Sequence, residues 1–148
     1  MLDQENDKII KKISLAEFAE QARGVPYAKI GSGALGWNCW QMVRQLYRKC
    51  FAIDLPDLGY CCRLPYRRAR VVFDSLAVAY REVPRGRERP GDVLILRGES
   101  CHAAVVVRSG LMLHVDETLG TCVEPFTQGF WKNRIEGVFR HGELAGSH

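Results

Sequence analysis

The run Gly36-Trp37-Asn38-Cys39-Trp40-Gln41-Met42-Val43-Arg44-Gln45-Leu46-Tyr47 constrains this chain most, because it sets a cysteine on the first turn of a buried helix. Asn38 is a good N-cap: its side-chain oxygen can accept from a backbone N–H that the helix leaves without a partner. Beyond it Trp40, Val43, Leu46, Tyr47 and Cys50 recur at three- and four-residue steps, one apolar helical face. Cys39 then stands where orphan N–H groups and the positive end of the helix dipole favour an anion. A thiolate is the nucleophilic form of cysteine, and helix starts lower its pKa. A lone buried cysteine is more often apolar filler, so the weight falls on what lies downstream.

A length of 148 residues, 47% of them hydrophobic, predicts one domain over 1–148 with a real core, residues 1–12 and 142–148 being flexible. The net charge of +4 tolerates anionic surroundings without choosing one. The excess gathers at Arg63, Arg67, Arg68 and Arg70, then at Arg81, Arg85, Arg87 and Arg89, which read as solvated surface. No nucleic-acid partner is expected. The start, MLDQENDKIIKKIS, does not read as a secretory signal, and no apolar run is long enough to span a membrane. The expectation is synthesis in the cytoplasm, with delivery by other means if the target lies outside. Six cysteines in such a chain read as mostly reduced, and vicinal Cys61-Cys62 lacks metal-ligand spacing. Neither a metal nor a cofactor is expected.

Along the chain, Ser14 and Glu17 form a capping box for a short helix to about Arg23, closed by Gly24. Gly31, Gly33 and Gly36 make a loop leading into Cys39, and Tyr66 to about Leu76 fits a third helix. The period then changes from 3.6 to 2, which predicts strands near 78–83, 92–97, 102–108, 111–116, 121–125 and 135–140. Turns at Ser109-Gly110 and Leu119-Gly120 make hairpins. Thr127 to Lys132 reads as one helical turn, and the tail after Arg140 as disordered. The fold class is α+β, with N-terminal helices packed on an antiparallel sheet of five to six strands.

His102 opens one of these strands and His114 sits on the next. Across a tight hairpin at Ser109-Gly110 the two are near neighbours able to share a face. A cysteine nucleophile needs a base and a third group that orients the base, and Cys39, His102 and His114 supply that set.

The segments G-V-P-Y (24–27), W-N-C-W-x-x-V-R-x-x-Y (37–47), I-D-L-P (53–56), R-P-G-D-V-L (89–94), C-H-A-A-V-V (101–106) and L-M-L-H-V (111–115) resemble NlpC-type cell-wall peptidases, in the family's order. The Cys-Trp and Val-Arg-x-x-Tyr variant and the closing G-V-F-R-H (137–141) resemble the phage-tail branch. The resemblance implies a papain-like fold and a cysteine peptidase that cuts peptidoglycan stem peptides between D-glutamate and the diamino acid. Cys39 would be the nucleophile, His102 the base and His114 its orienter, with Tyr27, Asn38 and Trp40 lining the oxyanion and substrate side. It also implies a phage or prophage tail component, partnered by other tail proteins and acting at the cell wall. Asn38 stands where the family usually has Asp, and Gln41 where it usually has Gly, so bulk on the first turn is expected to narrow the site. A thiol acyltransferase on the same fold and an inactive tail-assembly or wall-binding module are the rival readings. A metal site from His102, His114 and a cysteine is the weakest, since it gives Cys39 no reason to sit at a helix start.

Overall fold

The computed structural model describes residues 11–29, 32–33, 35–57, 80–97 and 101–145. Helix α1 (Leu15–Ala22) starts at the expected capping box: Ser14 accepts from the Glu17 N–H, and the Glu17 side chain accepts from the Ser14 N–H. A two-residue hairpin, β1 (Ser32–Gly33) and β2 (Gly36–Trp37), stands where the sequence suggested only a glycine loop. Gly36 allows it, with φ near +134° and Ala28 Cβ only 2.8 Å from where a Cβ would sit. Helix α2 (Cys39–Phe51) follows and ends at Ala52 in the left-handed conformation. The third helix near 66–76 and the Cys61-Cys62 pair lie outside the described residues.

Strands β3 (Tyr80–Glu82), β4 (Val93–Arg97), β5 (Cys101–Arg108), β6 (Leu111–Asp116), β7 (Gly120–Pro125) and β8 (Ile135–His141) form one antiparallel sheet in the order β3-β8-β4-β5-β6-β7. These are the six expected strands, with ends shifted by at most two residues. A 3₁₀ turn (Gly129–Trp131) precedes β8. The chain also stays regular beyond Arg140: His141 completes β8, and α3 (Gly142–Ala145) packs back on it where a disordered tail was expected.

Each face of the sheet carries a core. Val93, Ile95, Ala103, Val105, Leu113 and Val115 face α1 and α2, packing on Phe18, Trp40, Val43 and Leu46. Leu94, Leu96, Ala104, Val106, Met112 and Val138 face the other way, toward Phe126 and Trp131. Period 2 makes this division, because successive side chains of a strand leave on opposite sides. The division also fixes where each candidate functional side chain can go.

Candidate functional site

Cys39 begins α2, and Asn38 caps that helix: its Oδ1 accepts from the Gln41 N–H at 2.9 Å, while its Nδ2 donates to the Lys29 carbonyl at 3.0 Å. The cap thus ties the preceding loop to the first turn. The thiol is 3% exposed and lies against β5, where the Ala103 N–H points at Sγ from 3.4 Å. That donor and the helix dipole both favour negative charge on sulfur.

His102 is the residue before Ala103. It pairs with Leu96 in the β4–β5 ladder and takes the face that Leu96 takes. Cys39 therefore meets β5 from the helix side, while the His102 ring leaves it on the other. There the ring stacks on Trp131, with centroids 5.7 Å apart and planes at 21°, and meets His114 edge-on at 5.4 Å and 89°. The expected pairing of the two histidines on one face is present: beyond the register shift near Val106 the Val105–Leu113 pairing carries His114 to the level of Ala104, so His102, two residues earlier, lies diagonal to it on the same face. Burial, reinforced by the His114 charge and opposed by Asp116, pushes the His102 pKa down to about 3, so this imidazole is neutral around neutral pH.

His114 is 1% exposed, and its Nε2 is hydrogen-bonded to Glu124 Oε2. A carboxylate accepts only, so this contact needs a proton on Nε2, and in the neutral ring Nδ1 then carries the lone pair. That Nδ1 and the His102 Nε2 are both buried without a hydrogen-bond partner among the described residues, on rings that touch. Cys122 stands opposite His114 in the β6–β7 ladder, with Sγ 3.7 Å from His114 Nε2 and 3.9 Å from Glu124 Oε2. Burial first, then the charges of Glu124 and Asp116, push the Cys122 thiol up to about 11. Glu124 and Cys122 escaped the sequence reading. The Leu119-Gly120 turn held their signal: once Cys122 is opposite His114, Glu124 two residues on shares its face.

The remaining expected residues divide. Tyr27 bridges to Trp37, two residues before Cys39, and is part-exposed. Trp40, expected beside the substrate, is instead a core residue with no exposed surface, its indole N–H given to the Pro56 carbonyl at 2.8 Å. Gln41, expected to crowd the site, is tied to Asp57 at 3.1 Å and to Arg44 at 3.0 Å. Beyond Trp131 an open groove of about 540 Å³ is lined by Arg97, Phe130, Asn133 and Arg134.

The NlpC/P60 family model matches residues 24–140. The chain belongs to the NlpC/P60 family. Among curated proteins it is 22% identical over 120 residues to the murein DD-endopeptidase MepS/murein LD-carboxypeptidase of Escherichia coli K12, covering 80% of this chain and 56% of that one. The chain thus spans little more than half the length of the curated relatives it matches. Among solved structures, an NlpC/P60 family protein from Bacillus cereus ATCC 10987 superposes with a TM-score of 0.63 at 17% identity, over 91% of this chain and 42% of that one. The peptidoglycan hydrolase RipB of Mycobacterium tuberculosis gives 0.54 at 18% identity, over 93% and 65%. The few helices packed on a six-stranded antiparallel sheet are the fold of these neighbours.

Proposed function

We propose that this NlpC/P60 chain is a cysteine peptidase acting on the stem peptides of peptidoglycan, with Cys39 as nucleophile, His102 as base and His114 as its orienter. The observation that carries the reading is the thiol at the start of α2, held 3.4 Å from the amide that follows His102. Family membership and the naming of MepS as a murein endopeptidase support the substrate class.

The chemistry is acyl transfer to water. Sulfur attacks the peptide carbonyl as its proton passes to His102. His102 gives that proton to the leaving amine, and water then hydrolyses the thioester. The Cys39 N–H and Tyr27 serve the oxyanion. With Nε2–H of His114 held by Glu124, the Nδ1 lone pair can accept from His102 Nε2–H, which leaves the His102 Nδ1 lone pair for the thiol proton. Closing that chain pairs two buried nitrogens that have no partner among the described residues. The productive state needs the His102 imidazole to come round the end of β5, where it is only the second residue. Cleavage between D-glutamate and the diamino acid belongs to the same proposal as the bond that the family resemblance implies, and delivery to the wall in a phage or prophage tail rests on the motif variants at 37–47 and 137–141.

A second reading, a wall-binding module without catalysis, draws on the burial of Cys39 and the turn of His102 to the opposite face. Digestion of purified peptidoglycan by wild type and Cys39→Ala, with fragments weighed by mass spectrometry, separates the two. New stem-peptide fragments from the wild type alone establish the peptidase and identify the bond. Silence from both transfers the reading to the binding module.

A further inference from the structure

Three ligand-bearing atoms converge on the outer side of the site: His114 Nε2, Cys122 Sγ and Glu124 Oε2 all lie within 4.8 Å of one another. A tetrahedral zinc ion with ordinary N, S and O bond lengths holds its ligand atoms about 3.3–3.6 Å apart. Sγ already stands 3.7 and 3.9 Å from the other two, so the cluster needs only the Nε2–Oε2 pair to part. One nitrogen, one sulfur and one oxygen make a borderline-soft donor set, matched to Zn²⁺ rather than to Mg²⁺ or Ca²⁺. His114 supplies a buried anchor, while Cys122 and Glu124 are part-exposed and open the way to solvent.

We propose that His114, Cys122 and Glu124 form a binding site for a thiophilic divalent cation, Zn²⁺ foremost, whose occupancy switches His102 out of its working tautomer. The cation binds the His114 Nε2 lone pair, the Cys122 thiolate and the Glu124 carboxylate, with water completing the shell. The thiol proton passes to solvent, and the proton displaced from Nε2 moves to Nδ1. His114 then presents a donor to His102 Nε2 where it had presented an acceptor. His102 must answer with a lone pair on Nε2 and a proton on Nδ1, and loses the lone pair that receives the thiol proton. The inhibitory half rests on the proposed function; the binding half stands without it.

Cobalt(II) reads the site directly, because thiolate coordination gives a near-ultraviolet charge-transfer band. The band is expected in the wild type and in Cys39→Ala, and lost in Cys122→Ser. Zn²⁺ affinity by calorimetry should fall about a hundredfold or more in Cys122→Ser, since losing even an outer-shell partner costs 10- to 100-fold. A cooperative thermal transition verifies that Cys122→Ser is folded, and Glu124→Gln gives an independent second test of binding. A band kept in Cys122→Ser, lost only in Cys39→Ala, or absent from the wild type overturns the site. In peptidoglycan digestion, Zn²⁺ should inhibit the wild type, a chelator should restore it, and Cys122→Ser should keep basal activity while resisting zinc. Metal binding without any digestion would sink the peptidase reading and leave the site standing. Digestion indifferent to bound zinc would sink the switch.

Discussion

At the residue scale, the nucleophile candidate was readable because an N-cap and a 3.6 period are local signals, and both Asn38 and the buried face of α2 stand where those signals put them. Glu124 was not readable, because its significance comes from a ladder register that nearby residues do not announce. Trp40 misled for a related reason: adjacency to Cys39 in sequence suggested the substrate side, but a 100° helical step carries its ring into the core. In the proposed mechanism Glu124 acts as a positioning residue for His114, and Glu124→Gln is expected to lower kcat by about ten- to a hundredfold with KM nearly unchanged, since a well-placed general base contributes 10²–10⁴ in all. An equal loss from KM alone would place Glu124 in substrate binding instead. His102 gives a second test. Its folded pKa of about 3 lies below its unfolded value of 6.5. Between those values the unfolded chain binds a proton that the folded chain refuses, so stability falls as pH falls, with a limiting slope of about 1.4 kcal/mol per pH unit. Urea midpoints from pH 7 to 4.5 should show a flatter slope in His102→Gln; parallel slopes would mean that the imidazole titrates freely when folded.

At the scale of elements, the strands were legible because alternation and glycine turns are strong local signals. The β1–β2 hairpin was hidden inside three glycines that read as loop. The motif R-P-G-D was visible as a pattern, yet its physical purpose appears only when β8 is laid beside β4. Asp92, 1% exposed, accepts from Arg140 at 2.9 Å through each carboxylate oxygen, and Arg140 also donates to the Arg87 carbonyl at 3.0 Å. Next to it Gly91 accepts from the Tyr47 hydroxyl, and a Cβ there would meet Phe51 and Leu144 at 3.1 Å. The Asp92 carboxylate and its hydrogen bond hold the Arg140 guanidinium above its ordinary pKa. Breaking a buried pair by removing one partner leaves a buried charge, so Arg140→Met should cost about 3–5 kcal/mol in urea unfolding. Asp92→Asn/Arg140→Met should cost less than the sum of its single variants, because neither charge is then stranded. Strict additivity would show that the two groups are stabilised separately.

At the scale of the molecule, the sheet separates two jobs. Its inner face anchors the helix that presents Cys39, and its outer face carries the histidines, Trp131 and the groove beyond them. The overall charge of +4 could not say where an anionic partner would lie. The groove can, through the state of its two arginines. Arg97 is held by Glu136 at 2.9 Å and donates to the Asn133 carbonyl, so its charge is largely answered within the protein. Arg134 lies over the Phe130 ring at 4.4 Å, a contact that orients the guanidinium while its charge meets no acidic partner among the described residues. Phe130 is itself 64% exposed, so under the proposed function the pair offers a surface on which the carboxylates of a stem peptide would settle. On that account Arg134→Ala should raise KM for soluble stem peptides by about tenfold, the worth of one charge-assisted hydrogen bond, with kcat held. Added salt should weaken wild-type binding to sedimented peptidoglycan more than binding of Arg134→Ala, because the variant lacks the charge that salt screens. Equal salt sensitivity in the two would move the anion-binding surface away from this groove and back to the arginines elsewhere on the chain.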